Sequence, residues 1–232
     1  MGEPLDPAWI VHTAADLLVL EKPAGLLSQP GLGPELADSL ITRVQRRWPQ
    51  ARLVHRLDRD TSGLIAVALC PELHRLLSIA FAERRVEKVY VADVLGQPAA
   101  TGGCIELPIA KCQHRPPRYG VDHGRGKPCR TLWRRQAVEP LAFGESPLAS
   151  RLELQPHTGR SHQLRVHLQA IGHPILGDPL YGPAAGDPDR DHQAGRRLHL
   201  HATGLRFQHP LSGEPLVFRS AVPFQLPTPA LP

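Results

Sequence analysis

The nine residues HRLDRDTSG, from His55 to Gly63, place two carboxylates, Asp58 and Asp60, among charged and hydroxyl side chains. A carboxylate in such a setting can act as a nucleophile, as a general base or as a partner for developing positive charge. The same composition is common in turns, where aspartates bond to nearby backbone N–H groups and Thr-Ser-Gly makes the bend. Spacing alone favours the turn, because it fixes no partner group for either carboxylate.

The segment that follows this stretch constrains it. GLIAVAL, residues 63–69, is a short apolar run bounded by turn residues, which predicts a buried strand. Asp58 therefore lies in a loop that the core holds at one end, as expected of a positioned catalytic group.

Hydrophobic periodicity predicts the remaining elements. Further strands are predicted at residues 16–25, 87–96, 130–139, 150–156, 197–207 and 214–221. Helices are predicted at 35–48, 71–86 and 161–172. The loop at 182–195 is polar and rich in breakers, and the tail 223–232 is expected to trail along the surface.

Three of these elements carry candidate functional side chains. The strand 87–96 puts Tyr90 on the same side as Ala92 and Val94. The helix 161–172 puts Arg165 on a polar face with His162 and Gln169, and Gly172 ends it. The helix 35–48 offers arginines on the face opposite its apolar side, namely Arg43, Arg46 and Arg47.

Strands and helices interleave without a regular βαβ rhythm. This order predicts an α+β fold, with a single domain over residues 1–232 around a large mixed, mostly antiparallel sheet with flanking helices. No apolar run approaches the length of a membrane span, and the N-terminus lacks the pattern of a signal peptide. A cytoplasmic protein is expected.

Cysteines and histidines give little support for a metal site. The four cysteines form no CxxC pair, and none of the thirteen histidines belongs to an HExxH motif. His199 and His201 alternate along a predicted strand and could face one side. We therefore do not expect a bound metal.

Positive charge is concentrated in one segment. The net charge is +5, and residues 111–135 hold eight basic residues against one acidic residue, Asp122. Its proline and glycine content is typical of an extended loop. Because arginine is abundant throughout the chain, this segment is either a solvated loop or an arm that grips phosphates. The second interpretation gives the candidate RNA contacts Lys111, Arg115, Arg118, Arg125, Lys127 and Arg130.

Four motifs in order identify a resemblance that covers roughly Leu17 to Phe218. They are KPAGLLSQPG, VHRLDRDTSGLIAVAL, EKVYVADVLG and HTGRSHQLRVHLQAIGHPILGDPLYG. Together they closely resemble the RluA-type family of RNA pseudouridine synthases. The resemblance implies that uracil is detached from C1′ at N1, turned, and rejoined through C5, without cofactor or metal.

The resemblance also implies roles for individual residues. Asp58 matches the catalytic aspartate, which attacks either C1′ of the ribose or C6 of the base, and Arg165 matches the arginine that pairs with it. Tyr90 matches the tyrosine that stacks on the target uracil and helps to remove the C5 proton. Arg56 matches a position that enters the RNA as the target base flips out. The family leaves the position of Asp60 variable, so we expect it to balance charge or bond within the turn.

Other matched residues are expected to shape loops. They are Lys22, Pro23 and Gly25 in the first turn, and Gly177, Asp178, Tyr181 and Gly182 after the Arg165 helix. Because the first predicted strand begins near residue 16, we expect no N-terminal S4-type RNA-binding domain. The chain therefore resembles the compact branch, whose members known for dual specificity modify large-subunit ribosomal RNA and a tRNA anticodon stem-loop.

Three functions compete at this point. The first is an RNA pseudouridine synthase that acts on structured RNA without an obligate protein partner. The second is a non-catalytic RNA-binding protein on the same scaffold, which loss of the aspartate or tyrosine would have suggested. The third is a metal-dependent hydrolase that uses the histidines.

Overall fold

A computed structural model describes residues 3–114, 117–140, 148–182 and 197–226. The described helices are α1 (Leu40–Gln45), α2 (Pro71–Ala82) and α3 (Gln163–Ala170). The strands are β1 (Ile10–Thr13), β2 (Leu17–Lys22), β3 (Arg52–Leu53), β4 (Ser62–Ala68), β5 (Glu87–Leu95), β6 (Gly102–Ile105), β7 (Ile109–Gln113), β8 (Arg118–Val121), β9 (Thr131–Pro140), β10 (Leu148–Pro156), β11 (Leu200–Gln208) and β12 (Pro215–Arg219).

Ten strands are hydrogen-bonded into one sheet in the order β1-β2-β4-β11-β5-β10-β9-β6, with β3 beside β4 and β12 beside β11. The pairings from β2 to β4, from β5 to β10 and from β10 to β9 are all antiparallel. The predicted α+β fold around a large, mostly antiparallel sheet is confirmed. Strands β7 and β8 form a separate antiparallel hairpin.

Contacts divide the chain into two compact units. The first comprises Met1–Lys88 and Ala202–Ala221, and the second comprises Val89–His201 and Val222–Pro232. In the first unit, the core packs α2 against β2, β4 and β11 through buried residues such as Val19, Leu73 and Leu77. In the second unit, the core packs α3 against β5 and β10 through Ala92, Leu152 and Leu164.

The predicted helix at 35–48 is wrong in its bounds, and of the three arginines assigned to its polar face, Arg46 and Arg47 are exposed while Arg43 is not. Helix α1 begins only at Leu40, because Ser39 caps it by accepting the Thr42 N–H while the Thr42 hydroxyl accepts the Ser39 N–H. Arg43 is buried rather than exposed, since Asp38 binds its guanidinium through both carboxylate oxygens.

Two further expectations need correction. The segment 111–135 is not an extended loop, because it contains most of the β7–β8 hairpin and the start of β9. The tail does not simply trail along the surface, because Phe224 is buried and its ring stacks on His199 at a centroid distance of 4.5 Å. The predicted loop 182–195 lies, after Gly182, outside the described residues, as does the end of the tail.

Candidate active site

Asp58 lies in the loop between β3 and β4, and its side chain is half-buried. The preceding residue is fixed through both its N–H and its carbonyl. The Ser28 Oγ donates to the Leu57 carbonyl at 2.7 Å and accepts the Leu57 N–H at 3.1 Å. Ser28 and Leu57 are both buried, so these hydrogen bonds have little competition from water.

The residue that follows Asp58 is fixed by the turn after β2. The Lys22 Nζ donates to the carbonyls of Pro23, Leu26 and Arg59 at 2.7, 2.7 and 2.8 Å, and Lys22 is only 1% exposed. The Gly25 N–H donates to the Arg59 carbonyl at 3.0 Å, and the Arg59 Nε returns a bond to the Gly25 carbonyl at 3.0 Å. The backbone is therefore held on both sides of Asp58, at Leu57 by Ser28 and at Arg59 by the ammonium group of Lys22 and by Gly25.

Two more residues of the motif fix the loop against β4. The His55 Nε2 accepts the Ala66 N–H at 3.0 Å, and its ring stacks on Phe81 at 4.5 Å. Burial, and secondly the charge of Lys88, lowers the pKa of His55 to about 3, so the ring is neutral and can accept this bond. Gly63 has φ +112°, and a Cβ there would lie 2.4 Å from the Ala202 carbonyl oxygen. No other residue fits at position 63.

The neighbouring charged residues of the loop are more accessible. Arg56 and Arg59 are exposed, and Asp60 is half-buried. The expected contact of Arg56 with RNA and the turn or charge role of Asp60 stay predictions.

Tyr90 lies in the second unit, on β5 opposite Leu154 of β10. Its half-buried ring packs against the core to which Ala92 and Val94 belong, so the predicted division of the strand faces is confirmed. On the opposite face, Asp93 is fully buried and binds the Arg151 guanidinium at 2.8 and 2.9 Å.

Arg165 also lies in the second unit, on α3. The polar face predicted for this helix is uneven in exposure: Gln169 is exposed, whereas every residue from Gln163 to Leu168 is buried and Arg165 is only 2% exposed. A buried guanidinium requires an anionic partner, and Asp178 provides it. The Nε–Oδ2 and Nη2–Oδ1 distances are both 2.7 Å. The Arg165 Cζ lies 4.9 Å from the centre of the Tyr181 ring.

The loop after α3 is built around the same carboxylate. The Asp178 Oδ1 also accepts the backbone N–H groups of Leu180 and Tyr181 at 2.9 and 3.0 Å. Asp178 and Tyr181 thus contact the candidate catalytic arginine directly, beyond the loop-shaping role that the sequence suggested. The GDxxYG motif held the signal, but nothing local to it reveals that its aspartate turns back onto a helix residue thirteen positions earlier. The predicted pairing of Arg165 with Asp58 stays a prediction.

The end of α3 follows the sequence prediction. Gly172 has φ +86°, its N–H donates to the Gln169 carbonyl, and the His173 N–H donates to the Leu168 carbonyl. This pair of hydrogen bonds is the Schellman motif, which needs a left-handed residue where Gly172 stands.

The candidate RNA contacts of the basic segment divide into two groups. Lys111, Arg125, Lys127 and Arg130 are exposed, although Arg125 pairs with Asp122 and Arg130 with Glu106. Arg118 instead is half-buried and donates through Nη2 to the Leu180 carbonyl, and its predicted contact with RNA stays a prediction. Arg115 lies outside the described residues.

Metal-ligating side chains do not gather in the described part of the chain. It contains no cluster of three or more histidine, cysteine, aspartate or glutamate side chains able to hold a metal ion. Among the same residues, no helix is long and apolar enough to cross a bilayer.

Comparisons with known proteins agree with this arrangement of motifs. A sequence model of the family described as RNA pseudouridylate synthase matches residues 16–170. The dual-specificity RNA pseudouridine synthase RluA of Escherichia coli K12 is 43% identical over 223 residues, which cover 95% of this chain and 96% of that protein. The protein of the same name from Vibrio vulnificus CMCP6 is 43% identical over 211 residues, covering 90% of this chain and 81% of its own length.

A solved structure supports the same assignment. Human RNA pseudouridylate synthase domain containing 1 superposes with a TM-score of 0.75 at 32% identity, over 93% of this chain and 84% of that one. With both the family match and these relatives, the chain belongs to the RNA pseudouridine synthase family, whose members are isomerases.

Proposed function

We propose that this protein converts specific uridines of structured RNA to pseudouridine, with Asp58 as the catalytic carboxylate. The observation that carries the proposal is the immobilised loop, in which Ser28, Lys22 and Gly25 bind the backbone on both sides of Asp58. A surface turn needs no such anchoring. A carboxylate that must reach one reacting atom does need it, because small misplacements cost large factors in rate.

The proposed reaction is an isomerisation. The N1–C1′ bond breaks, the uracil turns within the site, and a bond forms between C5 and C1′. The Asp58 carboxylate bonds transiently either to C1′ of the ribose or to C6 of the base. The C5 proton leaves and N1 gains a proton, so the reaction balances without oxidant, cofactor or metal.

Family positions supply the other two roles. We assign Tyr90 to stacking on the uracil and to helping remove the C5 proton. We assign Arg165 to the positive charge that stabilises the ionised Asp58. The firm support of Arg165 by Asp178 suits this role, because a positioned cation needs no reorganisation during the reaction.

The proposed substrates are large-subunit ribosomal RNA and a tRNA anticodon stem-loop, acted on in the cytoplasm. The E. coli relative is named a dual-specificity RNA pseudouridine synthase, and this chain covers nearly all of it. Exposed Lys111 and Lys127, with Arg125 and Arg130, are the proposed phosphate contacts. Arg56 is proposed to fill the space left by the flipped base, which offsets part of the unstacking cost.

Release of tritium from C5 tests this function. Transcripts of a ribosomal RNA fragment and of a tRNA stem-loop, labelled at uridine C5, are incubated with the protein with and without a chelator. We expect the chelator to leave release unchanged. Cleavage of the labelled RNA that the chelator abolishes, without release of tritium to water, would favour the hydrolase. Binding with neither release nor cleavage of any RNA tested would favour the non-catalytic RNA-binding protein.

A further inference from the structure

The β7–β8 hairpin is attached to the loop that holds Arg165. The Arg118 Nη2 donates to the Leu180 carbonyl, and the Tyr119 N–H donates to the Tyr181 Oη at 2.9 Å. The hairpin's Ile109 joins Val166 of α3 and Tyr181 in one small buried cluster. The hairpin that carries exposed Lys111 is therefore bonded to this loop through both side-chain and backbone groups.

Tyr181 contacts two residues at the start of α3. Its ring lies under the Arg165 guanidinium, and its Oη lies 2.7 Å from the His162 Nδ1. Tyr181 is only 2% exposed, and burial raises the pKa of its hydroxyl to about 12. The hydroxyl therefore stays protonated at physiological pH and can donate as well as accept hydrogen bonds.

His162 is a strained residue at the start of α3. Its φ of +55° is left-handed, which is unfavourable for a residue other than glycine, and its carbonyl accepts the first bond of the helix from the Val166 N–H. The rings of Tyr119 and Tyr181 meet the imidazole edge-on at 5.1 and 5.6 Å. Strain of this kind persists only where surrounding contacts enforce it. Arg165 lies three residues further along, within the turn that His162 starts.

We propose that the Tyr181 hydroxyl is a positioning group that couples the β7–β8 hairpin to the Arg165 guanidinium. It accepts the backbone N–H of the hairpin and fixes the first turn of α3 through His162. RNA bound to Lys111 on the hairpin then constrains the arginine as well. The inference rests on the proposed function, because Arg165 must act in the isomerisation for its position to affect the rate.

Two tyrosine-to-phenylalanine variants separate the hydroxyl from the ring. Tyr181→Phe removes the shared hydroxyl and keeps the ring beneath Arg165. Tyr119→Phe is the matched control, because its ring contacts the same histidine while its hydroxyl makes no hydrogen bond within the described residues. Both are measured by single-turnover tritium release at saturating enzyme, by RNA binding and by thermal melting.

We expect Tyr181→Phe to lower the saturated rate on the order of tenfold, with RNA affinity within about twofold of wild type. Tyr119→Phe should leave both within about twofold of wild type. A lower melting temperature with an unchanged saturated rate would make Tyr181 a purely structural residue and overturn the proposal. Equal rates for the two variants would overturn it as well.

Lys111→Ala tests the coupling itself. It should lower the saturated rate of the wild type, and lower that of Tyr181→Phe by a clearly smaller factor, since the part of the connection that the hydroxyl provides is already lost while the Arg118 bond and the apolar contact remain. Equal proportional losses in the two backgrounds would refute coupling. A wild-type protein that releases no tritium from any RNA would count against the proposed function instead.

Discussion

The buried ion pair between Arg165 and Asp178 allows one prediction to be developed quantitatively. Asp178→Asn removes the negative charge but keeps an Oδ1 able to accept the N–H groups of Leu180 and Tyr181. The side chains of the pair are 2% and 0% exposed, so the remaining guanidinium would be buried without its counter-ion. Breaking such a pair by removing one partner costs about 3–5 kcal/mol. Total stabilities are about 5–15 kcal/mol, so this loss should be large.

An exposed ion pair provides the control. The Glu83 Oε2 lies 2.7 Å from the Arg85 Nη2, and both side chains are 57% exposed. Glu83→Gln is the same carboxylate-to-amide change, but solvent screening limits its cost to about 1 kcal/mol or less. Urea unfolding followed by tryptophan fluorescence gives the free energy of unfolding of both variants. If Asp178→Asn lowered the free energy of unfolding no more than Glu83→Gln does, the buried ion pair would not hold Arg165 as we argue.

Two further predictions concern the first unit. Because burial and the Lys88 charge lower the pKa of His55 to about 3, the unfolded chain takes up a proton there at higher pH than the folded chain does. The free energy of unfolding should therefore fall by up to about 1.4 kcal/mol per pH unit as the pH is lowered from about 6.5 to about 3. His55→Gln should remove that part of the pH dependence. The same pH dependence in the variant and the wild type would contradict this prediction. Arg84 has φ +61° just after α2, so Arg84→Gly should stabilise the protein by about 1 kcal/mol and raise its melting temperature. The φ of Arg85 is not positive, so Arg85→Gly should lower the melting temperature. Similar changes of the melting temperature in the two variants would refute the strain argument.

The sequence predicted those elements whose own hydrophobic pattern determines their secondary structure. Strand β4 is a continuous apolar run and is buried along its whole length, and α2 buries the predicted Leu73, Leu77 and Ala80. The bounds of α1 depend on side-chain hydrogen bonds from Ser39 that compete with continued helix, which periodicity does not detect. The hairpin of β7 and β8 was missed because it folds against α3 and the Tyr181 loop, a tertiary contact without a local pattern.

The sequence offered candidates for the site but not the contacts that support them. Motif order proposes Asp58, Tyr90 and Arg165 as site residues, because the resemblance extends over nearly the whole chain. The partners that hold them are distant in sequence: Ser28 binds Leu57 across 29 residues, and Lys22 binds Arg59 across 37. Nothing in the local spacing of either segment indicates these bonds.

The central claim, that Asp58 and not Asp60 is the catalyst, has a direct test within one motif. Asp58→Asn and Asp60→Asn are compared by tritium release from C5-labelled RNA and by RNA affinity at one fixed salt concentration. We predict that Asp58→Asn binds RNA like wild type and releases no tritium, because phosphate contacts elsewhere supply most of the affinity. Asp60→Asn should keep turnover within a few-fold of wild type. Turnover by Asp58→Asn, or its loss in Asp60→Asn alone, would contradict the account.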